Sequence, residues 1–361
     1  MISLKELQQS LIGTTTAFAS FRKPGESDPE TIIDKNGFYE ISGIREIFDS
    51  GAAFVMAPFL KPAPALALNG EKILHGTTFE SIDLENPKPV AISECNIIPP
   101  EKDEYIRRIA QVVSKISEGK ADKVVISRPI ETPFPNPELA ADLFGLLCEE
   151  HPTAFVYLVW MPGYGLWAGA TPELLLDVEQ GKVSTMALAG TRSITETGDW
   201  GEKEIDEHEW VCRHIEEKMA ASGCTSVRRA EKVTVPAARV SHLKTAFTAD
   251  SGADGPGQLA EALHPTPAVC GWPEDRARSI ILETEGYDRS FYTGFLGPVS
   301  GKEDASLFVN LRCMQIFAGK AVIYAGGGIT AASDPESEWK ETELKSLTLL
   351  NPIRKMQNFA F

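Results

Sequence analysis

The stretch TAFVYLVWMPGYGLWAGAT, residues 153–171, carries no Asp, Glu, Lys or Arg. Its reading decides the fold, because an uncharged run of this length could span a membrane as a helix. Pro162, Gly163 and Gly165 fall in its middle and favour two buried strands around a tight turn. The spacing therefore predicts a hairpin, and no transmembrane helix is expected. Residues 174–188 read as a second hairpin, around Gln180-Gly181.

On the N-terminal side, residues 1–100 read as short strands with polar turns, with runs at 52–58 and 65–68 and an Asn69-Gly70 turn before 72–75. A helix is expected over about 101–119, after Pro99-Pro100, then a strand at 123–128 and a helix around 137–150. Beyond the hairpins, a charged helix is predicted over about 202–222, a strand near 232–240 and a Gly- and Asp-rich loop at 250–257. A helix near 274–285 precedes a β-meander with strands at 307–317 and 320–324, and a last helix begins after Asp334-Pro335. Strands outnumber helices, hairpins outnumber βαβ units, and no repeat or linker divides the chain. The expectation is one α+β domain over 1–361, with antiparallel sheets covered by helices.

With 361 residues the chain can bury a large core. A formal net charge of −16 argues against a nucleic-acid surface, which needs clustered Lys and Arg. An anionic substrate would have to be met by a few local cations and not by a general field. Cys95, Cys148, Cys212, Cys224, Cys270 and Cys313 form no CxxC pair, which fits reduced thiols in a cytoplasmic protein. The N-terminal MISLKELQQSLIG lacks the apolar core and cleavage site of a signal peptide.

Several residues could carry chemistry. AGGGI at 325–329, followed by SEWKET at 337–342, reads as a strand entering a glycine turn and then a helix with Glu338 and Glu341 at i and i+3. Such a turn would offer backbone N–H groups to an anion, and the paired carboxylates would suit a hard cation. The bland alternative is a solvated helix face, with Glu341 and Lys345 as an ordinary i,i+4 pair. Lys123 shares a strand face with Val125 and Ser127. It is either a snorkelling surface lysine or one desolvated enough to serve as a general base. Glu173 either follows a Thr-Pro helix or turn start or is a carboxyl held protonated, as a general acid requires. Glu207 falls on the apolar stripe with Val211 and Ile215, where a lone carboxylate demands a cation. Glu209 and Glu216 read as solvated, and His208 and His214 as surface or packing residues. No HExxH or cysteine cluster suggests zinc. Arg312 is read as lying inside an apolar strand, where burial demands an anion. His264 opens HPTPAVCG at 264–271, whose prolines fix its path.

In order along the chain, these segments resemble the chorismate-utilising enzymes. The strings are KVVISR (123–128), GATPELLL (169–176), ALAGTR (187–192), DEHEWV (206–211) and VSHLKT (240–245). LHPTPAVCG (263–271), EGYDRSFYTG (285–294), LRC (311–313), YAGGGI (324–329) and SEWKETELK (337–345) complete the set. The match covers roughly 100–350, with 1–100 as a variable part of the sheet. The resemblance implies a single large α+β domain, an antiparallel β-sandwich flanked by helices. Lys123 stands where water-using members carry their base and anthranilate synthases typically carry Gln. Ala189 stands where aminodeoxychorismate synthases often carry a lysine. TPAVCG and LRC look more like isochorismate synthase than like salicylate synthase, which is the nearest alternative. An ammonia-dependent synthase component stands behind both.

The resemblance also implies roles. Lys123 would deprotonate the water that attacks C2 of chorismate, and Glu173 would protonate the departing C4 hydroxyl. Glu207 and Glu341 would ligate Mg²⁺, with Glu338 binding it directly or through water. Arg312 and Tyr292 would hold the pyruvyl carboxylate, and backbone N–H groups near Gly326 and Gly328 would add to that cradle. Gly190 and Thr191 would line the ring, Ala268 would contact the substrate, His264 would sit near C4 and Lys345 would face the site. Chorismate is the implied partner, without nucleic acid or membrane, for a monomer needing no glutaminase subunit. The chain departs from the family pattern at Gly327, where members usually have Ala, and at Ser290, often Gly; its segment from 192 to 207 is also short.

Overall fold

The computed structural model describes residues 1–60, 63–80, 82, 84, 87–237 and 240–359, without the side chains of 191, 193, 203, 237, 240, 358 and 359. The uncharged run forms the predicted hairpin: Phe155–Met161 pairs with Gly165–Thr171, from Phe155 opposite Thr171 to Met161 opposite Gly165. Positive φ at Gly163 (+89°) and Gly165 (+112°) makes the reversal, a backbone region glycine enters without steric cost. Both strands are buried throughout. Tyr157, Val159 and Trp167 point into a core between two sheets, while Val156, Leu158, Trp160 and Leu166 point into a core under helices. A strand covered on both faces cannot alternate apolar with polar, which explains the absence of charge. No described helix is long and apolar enough to cross a membrane.

Two large antiparallel sheets carry the fold. The first runs Gly271–Trp272, Lys123–Pro133, Lys320–Ile329, Cys313–Ile316, Gly165–Thr171, Phe155–Met161, Ala17–Arg22, Glu30–Asp34, Lys72–His75. The second runs Thr225–Arg229, Val240–Asp250, Lys182–Ser193, Leu174–Glu179, Asp304–Val309, Phe295–Pro298, Phe54–Ala57, Ala65–Leu68, Tyr39–Ile41. They pack face to face through a core that includes Phe21 and Phe155 from the first sheet with Phe54 and Phe308 from the second. Helices α1 (Leu4–Leu11), α3 (Ala140–Glu150) and α7 (Pro335–Phe359) cover the outer face of the first sheet, and α2 (Lys102–Ser117) and α6 (Glu274–Glu285) cover its end. Helices α4 (Glu202–Ala221) and α5 (Pro256–Leu263) cover the second. The fold is thus the expected single-domain α+β sandwich.

Three local expectations need correction. The strand after Asn69-Gly70 does not pair with the one before it: Ala65–Leu68 lies in the second sheet and Lys72–His75 in the first, so the turn passes between sheets. The strand read over 307–317 is two strands in different sheets, Asp304–Val309 and Cys313–Ile316. The run 325–329 is not a turn but the end of the strand Lys320–Ile329, paired to Lys123–Pro133 as far as Ile329 opposite Val124.

Candidate active site

Two neighbouring places where the chain passes between sheets define the site. Residues 172–173 join Gly165–Thr171 to Leu174–Glu179, and residues 310–312 join Asp304–Val309 to Cys313–Ile316. The crossings are tied together: Val309 N donates to Glu173 O at 2.9 Å and Ala170 N to Arg312 O at 3.1 Å. Arg312 has φ +48°, which no regular strand permits and which costs on the order of 1–3 kcal/mol. That break is why Arg312 faces a cavity and not a sheet core; its Nη1 donates to Thr348 Oγ1 of α7 at 3.1 Å.

Glu173 is 3% exposed, and burial pushes its carboxyl up to about 8 against the pull of Lys123 and Lys345. It is therefore protonated at neutral pH, as a proton donor must be.

Lys123 is wholly buried, so the snorkelling reading fails. Its Nζ lies 2.6 Å from Glu207 Oε1, the cation that the apolar stripe of α4 demanded. The glycines opposite make room for this pair. A Cβ on Gly328 would lie 2.6 Å from Glu207 Oε1 and 2.7 Å from Lys123 Cε. One on Gly327 would lie 2.8 Å from Glu338 Oε2 and 3.4 Å from Glu341 Oε1. Gly326 faces its carbonyl to Lys345 Nζ at 2.8 Å, and the same ammonium lies 2.5 Å from Glu341 Oε1. Gly190 answers a different need. It sits at φ +73° in a bulge between Ala189 and Thr191, against the α4 backbone at Glu204.

One cavity is lined by Glu173, Gly190, Glu207, Ala268, Tyr292, Arg312, Gly326, Gly328, Glu341 and Lys345. Lys123 sits behind its wall, on Glu207. Glu338 is buried behind Gly327 with Oε1 accepting from Ser333 Oγ at 2.7 Å. His264 does not line the cavity as expected. Bonds from Val269 N and Cys270 N to Thr266 O turn the loop so that Ala268 and Val269 face inward. The His264 ring stands edge-on to Phe295 at 5.1 Å, with Nε2 3.2 Å from Pro58 O. The Thr191 side chain lies outside the described residues; its backbone pairs with His242.

His242 and Glu204 are among the lining residues given no role from the sequence. His242 Nδ1 lies 3.0 Å from Gly190 O, and burial lowers its pKa to about 3, so the ring is neutral. Glu204 lines the cavity one turn before Glu207, but its Oε2 is turned back toward Gly201. Its i,i+3 spacing to Glu207 matches that of Glu338 to Glu341, the one signal that could have marked it. The residues read as bland are so: Glu209 and Glu216 pair with Arg229 at the surface, and His208 and His214 are buried in packing.

As placed, no three described His, Cys or acidic side chains could hold a metal ion. Glu207 and Glu341 are each closed on a lysine. The donor set still fits a hard cation: three carboxylates from α4 and α7 converge on Gly327 and Gly328, and all of these donors are oxygen.

The model of the family described as chorismate binding enzyme matches residues 70–354. The chain belongs to the chorismate binding enzyme family. Within it, the chain is 30% identical over 265 residues to isochorismate synthase EntC of Escherichia coli, covering 70% of this chain and 67% of EntC. It is 29% identical over 273 residues to isochorismate synthase DhbC of Bacillus subtilis, covering 70% and 68%. The solved structure of MenF, the menaquinone-specific isochorismate synthase from Escherichia coli, superposes with a TM-score of 0.77 at 20% identity, over 96% of this chain and 90% of that one. The sandwich is therefore the fold of these enzymes.

Proposed function

We propose that the chain is an isochorismate synthase, converting chorismate to isochorismate and back by adding water at C2 with loss of the C4 hydroxyl. Relatives carrying that name support the reading. The observation that carries the chemistry is a buried, protonated carboxyl in the cavity, with a buried lysine behind its wall on Glu207. Lys123 takes a proton from the attacking water. Glu173 gives its proton to the departing hydroxyl, which leaves as water. The ring double bonds shift, and the net change is an isomerisation.

Arg312 and Tyr292 hold the pyruvyl carboxylate, with the Gly326–Gly328 edge beside it. Lys345 anchors Glu341 against that edge. Glu207 and Glu341, with Glu338 behind them, would hold Mg²⁺, which when bound would neutralise the ring carboxylate. Charge supports this ligand set. Glu207, Glu338, Glu341 and the two carboxylates of chorismate outnumber Lys345 and Arg312, the site cations that take no part in proton transfer, and a divalent cation would offset that excess. The proposed enzyme acts as a cytoplasmic monomer without a glutaminase subunit; its six unbridged cysteines suit that compartment.

Incubating the purified chain with chorismate and Mg²⁺, with and without ammonium, tests the reading. Isochorismate should be the main product in both. Salicylate as the main product would move the chain to the salicylate synthases, and anthranilate with ammonium to the ammonia-using branch.

A further inference from the structure

One wall of the cavity is made by three segments from different parts of the fold. They are Val125 in the strand Lys123–Pro133, Val269 in the loop after His264, and Thr293 in the turn carrying Tyr292. A single side chain behind that wall touches all three. Arg289, 2% exposed, donates from Nη2 to Val125 O at 2.8 Å, and from Nη1 to Val269 O at 3.0 Å and Thr293 Oγ1 at 3.1 Å. Its other donors go to Glu285, Nε to Oε2 at 2.7 Å and Nη2 to Oε1 at 2.5 Å. All five guanidinium N–H groups thus meet an acceptor, an arrangement only a planar fork can satisfy from one point. Glu285 is fixed in turn, its Oε1 also accepting from Ser127 N and Ser127 Oγ, both at 2.7 Å.

An ion pair buried this deeply is weak evidence of stabilisation, since apolar replacements often do as well. Its bonds to three wall segments give it a different task. We infer that Arg289 is a positioning residue for the substrate site, setting the loops at 264–271 and 291–294 against the strand that carries Lys123. This rests on the isochorismate synthase reading. The strand is held independently by its ladder to Lys320–Ile329. The loop at 264–271 also meets that strand at its end, where Val125 N donates to Cys270 O at 2.8 Å and Gly271 pairs with Val124, and the turn at 291–294 bonds to Asn310; Arg289 joins both segments to Val125 through one side chain. Tyr292 and Ala268 ride on those loops and Lys123 on the ladder, so the effect falls on substrate binding and not on the chemical step.

Arg289→Lys keeps the charge but replaces the five-donor fork with three donors on a flexible stem. Assayed at a temperature where circular dichroism shows it fully folded, it should raise KM for chorismate about tenfold and leave kcat within about threefold. Thr293→Val removes one acceptor while keeping the shape; it should raise KM by a smaller factor, and it decides the matter if Arg289→Lys does not fold. Leu147→Ala, in the core under α3, controls for destabilisation alone and should lower Tm with KM unchanged. If Arg289→Lys and Thr293→Val lower Tm with KM unchanged, or lower kcat alone, Arg289 is not a positioning residue. A wild-type chain that fails to convert chorismate sinks the isochorismate synthase reading instead.

Discussion

Glu173 owes its protonation to where the chain crosses between sheets, since both sheets shield the carboxyl from water. Its pKa, raised to about 8, gives the activity a direction with pH. The group is a donor below that value and loses its proton as pH rises through it. The kcat/KM profile, which reports the free enzyme, should therefore hold near neutrality and fall on an alkaline limb near pH 8. A profile flat well beyond that limb would remove Glu173 as the acid. The sequence alone left Glu173 open, because Thr-Pro-Glu also starts turns and burial is a property of the fold. Glu207 was legible, since a carboxylate on an apolar helix stripe must have a cation. Arg312 was assigned to the wrong local structure: its positive φ comes from a sheet crossing that no residue spacing announces.

At the scale of elements, the glycine run shows where local reading fails. Glycine serves a turn and a crowded strand equally well, and only the facing side chains distinguish them. Here the missing Cβ atoms leave space for Glu207, Lys123 and Glu338. Gly328→Ala should therefore push Glu207 off Lys123, cutting turnover by about 10²-fold and raising the Mg²⁺ concentration needed for half-maximal activity. Wild-type kinetics in that variant would mean that the strand does not set the carboxylates. Ser290, in the turn after Arg289, lies at φ +50°, a backbone region that favours glycine. Five of the seven α-helices of the described residues were legible, α2, α3, α4, α6 and α7, while α1 and α5 were not expected. The expected helix at 202–222 is observed as Glu202–Ala221, and that at 274–285 as Glu274–Glu285, because 3.6-residue periodicity and local caps are written within a few turns. Strand partners were less legible, as Ala65–Leu68 and Lys72–His75 show; pairing depends on residues far along the chain.

For the whole molecule, the sandwich core and the reacting groups are largely separate. Phe155 and Phe308 stack across the sheets with ring centroids 4.3 Å apart, whereas Glu207, Glu338 and Glu341 stand on helices α4 and α7, outside the sheets. If Mg²⁺ is held there as proposed, chelating it should abolish turnover while lowering Tm by no more than a few degrees, the share set by ligand linkage. Unfolding on chelation would make the cation structural. The hairpin at 153–171 was enough to exclude a membrane span and predict antiparallel sheets, but not to show that two sheets would meet at one active site. The claim that most needs testing is that solvent water, activated at Lys123, enters at C2. With chorismate and Mg²⁺ in water enriched in oxygen-18, the wild-type product should carry one label, at the C2 hydroxyl. Lys123→Gln should keep its circular dichroism spectrum yet form labelled product about 10²–10⁴-fold more slowly. Unlabelled isochorismate, or undiminished labelling in Lys123→Gln, would contradict the account.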